Sequence, residues 1–437
     1  MPDWTPLDDS PRAFAAARAV LKAQGNYTER ALGYFVCKRF LHKFNCEIVT
    51  RGLDKLRDHQ GRRVLLVPNH RSYLDPVIVH HVLALSGFRQ PRVVALDFLG
   101  ATPLAPIMKK CGAVFIRGSF ADPAYREKMN QQLRAYTDNG EWLEFFLEGQ
   151  RSSSGKQMEA RTGLLNALTT DQPCVIYPIN LSYERLIEDR EFVSKTQGFN
   201  IKSALRSFLA TGKGVGKMYF TVCDPIYTEA GANVRNVAAS ITKAIMRANV
   251  IFNTDLLAVT LLDKQETIRL ETLQNEVNWL ANALEHRGVY VVDRDIESTF
   301  RLLKHAISVK QKQYITIRDK TLLLYYRNRM LYTISDLVTT PSLLRREALY
   351  SPQHRPRGRD SKALRDLAKR AIEPTVFLYK YLLEQVQEGE TSAKALRRSI
   401  ADNPHCCYET VSNLLSVLKE DGTVTVNGDE ITPVPKA

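Results

Sequence analysis

The sequence predicts an α/β domain on one central buried β-sheet with helical crossovers, followed by a mostly helical C-terminal region with a winged-helix-like end. Three observations carry this. From Val64 to about Ile226, short apolar runs rich in β-branched and aromatic residues alternate with helical patterns, as strands buried on both faces do. Beyond Asn233 the apolar residues recur at helical spacing. Near the end, Thr423 to Ile431 alternates apolar and polar residues about Asn427-Gly428, a hairpin signal.

Composition bounds the answer. A chain of 437 residues, 44% hydrophobic and 25% charged, is longer than one core usually serves, so two domains are expected. A net charge of +14 points to anionic partners and leaves nucleic acid, acidic lipid headgroups and phosphorylated substrates open. The 7 cysteines are odd in number and lack CxxC spacing, which fits a reduced interior without zinc. Met1-Pro2-Asp3-Trp4 does not open a secretory signal. The longest apolar stretch, Val250 to Leu262, is interrupted by Asn253 and Asp255, so no membrane-spanning helix is expected. The expectation is a peripheral protein at the cytoplasmic face of a membrane.

Taken in order, residues 12–44 read as helix. Its second half sets Tyr34, Phe35, Phe40 and Phe44 among Lys38, Arg39, His42 and Lys43. Two readings stay open: a helix lying on an anionic bilayer, or aromatic residues packed on a neighbouring domain. Strands are expected at Val64–Val67, Arg92–Leu96, Ala113–Ile116, Trp142–Leu147, Cys174–Tyr177 and Met218–Val222. Helices are expected over 234–249, 264–287, 296–308 and 319–338, with a short strand at Tyr314–Ile317. Residues 350–361 combine Pro, Gly and positive charge and read as a basic linker. The domain expectation is therefore an N-terminal helical region (1–60), an α/β domain (61–233), a helical extension (234–349), the linker, and a C-terminal module (362–437).

Two strings carry chemistry. Pro68-Asn-His-Arg-Ser-Tyr-Leu-Asp-Pro76 follows the first strand, placing it at the C-terminal edge of the sheet where sites collect. Asp75 can cap a helix beginning at Pro76 while turning its carboxylate toward His70. A histidine with an orienting carboxylate is a general base able to take the proton of an alcohol. The second string, Glu148-Gly-Gln-Arg-Ser-Ser-Ser-Gly-Lys156, offers glycines, hydroxyls and two cations suited to a phosphate, without Walker spacing. Arg117 ends another strand at the same edge.

Together these strings resemble the glycerol-phosphate acyltransferases. Four family motifs occur in order: Asn69-His70 through Asp75, Gly112-Ala-Val-Phe-Ile-Arg117, Phe146-Leu-Glu-Gly-Gln-Arg-Ser152 and Tyr177-Pro-Ile179. Ala95 to Gly100, Glu144 to Gly149 and Ser182 to Glu188 are similar to segments of the long-form glycerol-3-phosphate and dihydroxyacetone-phosphate enzymes, and Leu323 to Leu331 to a signature outside their catalytic domain. The resemblance covers roughly residues 60–345, and it implies that length common in the group before the catalytic domain is missing here. It also implies acyl transfer from acyl-CoA or acyl carrier protein to glycerol-3-phosphate, with no cofactor, at an anionic membrane surface. Dihydroxyacetone phosphate is the alternative acceptor.

Carried over by resemblance, His70 is the base and Asp75 holds its tautomer. Arg117, Glu148, Gly149, Arg151 and Ser152 would bind the acceptor's phosphate and glycerol part. Pro178 belongs to a motif of the donor side, and Arg161 stands where the family commonly has Lys. Gly118, Gln150 and Ser153 depart from the pattern and bear on acceptor choice. The rival class, a nucleic-acid-binding winged-helix protein, is opposed by Glu420, Asp421, Asp429 and Glu430 around the hairpin, where a phosphate-binding wing would be basic.

Overall fold

The computed structural model describes residues 3–23, 46–57, 59, 61–103, 105–118, 122–189, 216–264, 267–292, 296–311, 313–335, 360–401, 403, 408–420 and 423–434. The aromatic and basic stretch of Tyr27–Phe44 and residues 350–359 of the expected linker lie outside them, while its last two residues, Asp360 and Ser361, open a helix. The chain divides into two compact units. One takes the described residues up to Arg151, Ala160–Glu188 and those up to Asn249, and the other takes Ser152–Glu159, Asp189 and those from Val250 onward.

The first unit contains β1 (Thr5–Pro6), α1 (Pro11–Ala23), β2 (Glu47–Arg51), β3 (Arg63–Pro68), α2 (Asp75–Leu85) and β4 (Arg92–Leu96). It continues with α3 (Ala105–Lys110), β5 (Ala113–Ile116), α4 (Pro123–Asp138), β6 (Leu143–Glu144) and α5 (Gly163–Thr169). It ends with β7 (Cys174–Tyr183), β8 (Lys217–Val222), β9 (Ile226–Thr228) and α6 (Val234–Arg247). The strands form one 9-stranded sheet in the order β1-β2-β8-β7-β3-β6-β4-β5, with β9 also on β7. The block β7-β3-β6-β4-β5 is parallel throughout. All its strands therefore end at one edge.

Burial explains the patterning. Every residue of β3 and β7 is buried, because helices cover both sheet faces. Leu65, Val67, Phe145, Leu147 and Ile176 pack with Leu133 of α4, Leu165 and Leu168 of α5, and Ile241 and Ile245 of α6. On the other face α1 and α2 meet through Ala13, Ala17, Ala84 and Leu85. Full burial of one such large apolar side chain is worth about 1.5–3 kcal/mol.

Several expectations change here. Within the expected N-terminal helical region of 1–60, the described residues include α1 but also β1 and β2, which extend the main sheet, β2 pairing with β8. Helix α6, expected to open the second region at 234, lies in the core of the first unit. The strand expected over Trp142–Leu147 shrinks to Leu143–Glu144, after which Phe145 still donates its N–H to Leu66 O (3.1 Å). Strand β7 runs past Pro178, where a break is expected. The reason is local: the partner of β7 changes there from β9 (Cys174–Ile176) to β8 (Ile179–Tyr183), so the missing proline N–H leaves no ladder position empty.

The second unit contains β10 (Ile251–Phe252), α7 (Asn253–Lys264), β11 (Thr267–Arg269), α8 (Leu270–Glu285), β12 (Val291–Val292) and α9 (Ile296–Leu302). Then come β13 (Ile307–Lys310), β14 (Tyr314–Ile317), α10 (Lys320–Ser335), α11 (Asp360–Gln387), α12 (Ala393–Ser399), α13 (Tyr408–Glu420), β15 (Val424–Asn427) and β16 (Glu430–Pro433). The hairpin turns on Gly428 and Asp429, one residue later than Asn427-Gly428, because Asn427 pairs with Glu430. Asp429 accepts from Ser392 Oγ and Lys394 N–H (both 2.7 Å), and these bonds hold its carboxyl below the usual range. That acid caps α12. Among the described residues no helix is long and apolar enough to cross a membrane.

At the start of β3, buried Arg63 donates to Asp138 of α4, and to Asp171 and Leu168 O at the end of α5, fixing two crossovers to one strand. Its hydrogen bond holds the Asp171 carboxyl below the ordinary value, so this contribution is present above the unfolded carboxylate pKa and is lost as pH falls through the depressed one. Arg63→Gln is expected to cost ~1–3 kcal/mol at pH 7, limited because both acids are partly exposed. Melts of both proteins should differ less at pH 3 than at pH 7. An equal gap at both values would refute the charge pairing.

Candidate active site

Three neighbouring strands deliver the site. Residues 69–75 leave β3, residues 145–151 leave β6, and residues 184–188 leave β7, all at the C-terminal edge. Asn69 continues the strand pairing as a side chain: its Oδ1 accepts from Leu181 N–H (2.7 Å) and its Nδ2 donates to Leu181 O (3.2 Å). This clamps the chain one residue before His70.

The His70 ring presents Nδ1 to Asp75 Oδ2 at 2.9 Å. The same oxygen accepts from the N–H groups of Arg71 (2.6 Å) and Ser72 (2.9 Å). Asp75 Oδ1 accepts from the Tyr183 hydroxyl at 2.6 Å. Asp75 is fully buried, so a carboxylate there is tolerable only because each oxygen is satisfied. The helix-cap expectation is corrected by these bonds. Asp75 is the first residue of α2, and its donors come from the preceding loop and from Tyr183 of β7 rather than from the helix. Pro76 has no N–H to offer.

With Nδ1 held as donor to a carboxylate, Nε2 is left as the proton-accepting nitrogen. The ring lies against Phe146, with centroids 4.0 Å apart and planes at 22°, and keeps 18% exposure. Its main-chain N–H donates to Glu148 Oε1 (3.0 Å). Glu148 is itself buried and lies 3.9 Å from the Arg71 guanidinium. Gly149 has φ +69°, and a Cβ there would meet the Arg161 side chain at 2.6 Å. The positive φ favours glycine there, and the absence of a Cβ lets the Arg161 side chain pass close to the backbone.

Arg151 stacks over the Tyr73 ring, 3.4 Å from its centroid, and donates Nη1 to Glu188 Oε1 at 3.2 Å. Glu188 is fully buried and also accepts from Tyr73 N–H (2.6 Å) and Ser72 Oγ (3.0 Å). Burial pushes its carboxyl up to about 7, against the opposing pull of Arg151. Glu144 is equally buried, and neither of its oxygens has a hydrogen-bond partner. Burial, and then the charge of Asp75, raises it well above the carboxylate range, so it is held neutral. Burial and the Asp75 charge likewise raise the Tyr183 hydroxyl well above its normal value. It remains a donor.

His70, Asp75, Glu148, Gly149 and Arg151 therefore converge, with Arg161 alongside. Arg117 is farther out. It leaves β5, at the rim of the sheet and three strands from β3, which at ~4.8 Å per strand is ~14 Å away. It is 59% exposed, stacked on Tyr125 at 4.3 Å. Pro178 is buried within β7, level with Val67.

Ser152 belongs to the second unit with its loop, and its buried Oγ has no hydrogen-bond partner. There the Ser154 carbonyl accepts from Asn328 Nδ2 (2.9 Å), and Lys156 Nζ reaches Thr410 Oγ1 (3.4 Å). A Cβ on Gly155 would collide with the Tyr325 carbonyl at 2.3 Å. Sequence reasoning missed Asn69, Phe146, Tyr183 and Glu188 as working residues. All four lie inside motif strings, but their partners are remote in sequence.

The family model "Acyltransferase" matches residues 47–182, and "Glycerol-3-phosphate acyltransferase C-terminal region" matches 227–382. The chain is 27% identical over 243 residues to a glycerol-3-phosphate acyltransferase of Pseudomonas putida KT2440, covering 51% of this chain and 29% of that one. It is 30% identical over 179 residues to the same-named protein of Pseudomonas putida GB-1, covering 38% and 22%. The chain thus spans less than a third of these relatives' length. Among solved structures, the 1-acyl-sn-glycerophosphate acyltransferase PlsC of Thermotoga maritima aligns with TM-score 0.35 and 17% identity over 50% of this chain and 77% of that one.

Asp75→Asn can keep its oxygen on the loop amides and turn its amide to Tyr183, whose hydroxyl then accepts. What it removes is the negative charge beside the imidazole. The variant is expected to stay folded, by circular dichroism, while the NMR signals of the His70 ring nitrogens move, because the carboxylate partner of Nδ1 is gone. Unmoved ring-nitrogen signals would contradict the pairing.

Proposed function

This chain belongs to the glycerol-phosphate acyltransferase family, and on that premise we propose that it moves a fatty acyl chain from acyl-CoA or acyl carrier protein to the sn-1 hydroxyl of glycerol-3-phosphate. The observation that carries this reading is the His70–Asp75 pair at the open edge of the sheet, with an arginine beside it. His70 Nε2 takes the acceptor's hydroxyl proton as that oxygen attacks the thioester carbonyl. The tetrahedral intermediate then collapses, the C–S bond breaks, and the imidazolium returns the proton to the leaving thiolate. Asp75 stabilises the imidazolium between these steps, as a buried carboxylate does beside a catalytic histidine. No acyl-enzyme is needed, and no GxSxG elbow is present in the sequence.

Arg151 is the acceptor's phosphate contact in this reading. Its Tyr73 stack and Glu188 bond fix the guanidinium plane, and a guanidinium held in one plane suits the bidentate recognition of an oxyanion. Glu148 shapes the loop carrying His70, and Gly149 lets the Arg161 chain cross closely. Arg117, Ser152 and Pro178 come to this reading from the family resemblance. Location at an anionic membrane surface is likewise proposed, from the cations among aromatic residues at 27–44 and the net charge of +14.

Purified protein given labelled acyl-CoA and, separately, glycerol-3-phosphate, dihydroxyacetone phosphate and lysophosphatidate should acylate glycerol-3-phosphate fastest, and product analysis should place the chain on the sn-1 oxygen. His70→Ala should lower turnover by roughly 10²–10⁴-fold with an unchanged circular dichroism spectrum. Near-normal turnover in a folded His70→Ala protein would end the assignment. Arg151→Ala should raise KM for glycerol-3-phosphate roughly ten- to hundredfold and leave that for acyl-CoA near its original value, since about 1.5–3 kcal/mol of charged hydrogen bonding is lost on the acceptor alone. A selective rise for acyl-CoA would reassign the arginine to the donor.

A further inference from the structure

We propose that Glu188 is a positioning residue that locks Arg151 and the loop carrying His70 into one assembly, so that the acceptor's phosphate and its reacting hydroxyl are held in register. The proposal rests on the reading of Arg151 given above. Glu188 lies beyond the end of β7, on neither element it joins. One of its oxygens accepts from both Tyr73 N–H (2.6 Å) and Arg151 Nη1 (3.2 Å), and the other accepts from Ser72 Oγ (3.0 Å). Ser72 Oγ in turn accepts from Leu74 N–H (3.1 Å). The residues between His70 and Asp75 are thus tied through one buried carboxylate to the arginine that follows β6. The Tyr73 ring under the guanidinium closes the assembly from the other side.

A fully buried carboxylate needs this many donors to remain charged. Among the described residues, the charged groups that act most on Glu188 are Arg151, which favours its anionic form, and Asp75, which disfavours it; Tyr183, bonded to Asp75, senses both acids. With burial holding Glu188 near 7, protonation below that pH weakens its hold on Arg151 while leaving the His70–Asp75 bond in place. Acceptor binding should therefore weaken on acidification. The acceptor's own phosphate also titrates, near pH ~6, and does so identically with every variant.

Glu188→Gln keeps the side-chain shape and an oxygen for Tyr73 N–H, and it removes the charge. Two measurements then follow. The rate at which butanedione modifies Arg151, read by peptide mass spectrometry, should rise severalfold in Glu188→Gln, whatever the substrate proves to be. Steady-state kinetics should show KM for glycerol-3-phosphate roughly tenfold higher at pH 8, the size of one charge-assisted hydrogen bond. KM for acyl-CoA should be unchanged, and the wild-type rise in acceptor KM between pH 8 and pH 6 should shrink in the variant. An unchanged modification rate, or an acceptor KM that stays level or falls, overturns the proposal. A raised modification rate with wild-type protein inactive on glycerol-3-phosphate would instead overturn the acceptor assignment and leave the tether standing. Should Glu188→Gln fail to fold, Glu188→Asp, one methylene too short to span Tyr73 and Arg151, is read by the same two measurements.

Discussion

The site depends on one buried carboxylate being fully satisfied. Asp75 accepts from two loop amides, the Tyr183 hydroxyl and the His70 ring, donors that come from two sources, the loop after β3 and the strand β7. The amides require the tight loop after β3, Tyr183 requires β7 to run its full length beside β3, and the ring requires both. Without these bonds a charge at zero exposure would be costly enough to neutralise itself. The sheet order β7-β3-β6 is thus the condition for a histidine that keeps one nitrogen engaged and the other available.

Around that anion the protein places acids of unlike character. Asp75 is supplied with donors, Glu188 is shared between donors and a cation, and Glu144 has none. Their environments, rather than their chemical type, separate them. Glu144 sits level with Leu66 of β3, directly in the sheet, where a second full charge beside Asp75 would be repelled. Keeping it neutral avoids a second charge beside Asp75.

Much of this was legible in the sequence, for reasons that can be named. Val64–Val67 and Cys174–Tyr177 read as buried strands because apolar residues on both faces leave continuous runs, and His70 read as a base because its orienting acid lies within one loop. The longer reach of β7 was hidden by Pro178, whose tolerance depends on the change of neighbour from β9 to β8. The strand Glu47–Arg51 was hidden by its polar residues and by its partner β8 being remote in sequence. Tyr183 and Glu188 escaped for the same reason: a hydroxyl 108 positions from Asp75 and a carboxyl 116 positions from Ser72 leave no local pattern. The Leu323–Leu331 string, noted only as a family signature, holds the residues that meet Ser154 and Gly155 in the second unit.

The central claim is that Asp75 fixes His70 as a neutral imidazole protonated at Nδ1 with Nε2 bare. Nitrogen-15 NMR of histidine-labelled protein, with the His70 signals identified by their loss in His70→Gln, reads this directly. At alkaline pH, the account predicts a protonated-type shift at Nδ1 and an unprotonated-type shift at Nε2. The opposite tautomer, with the proton on Nε2, would leave no acceptor for an alcohol proton and would contradict it.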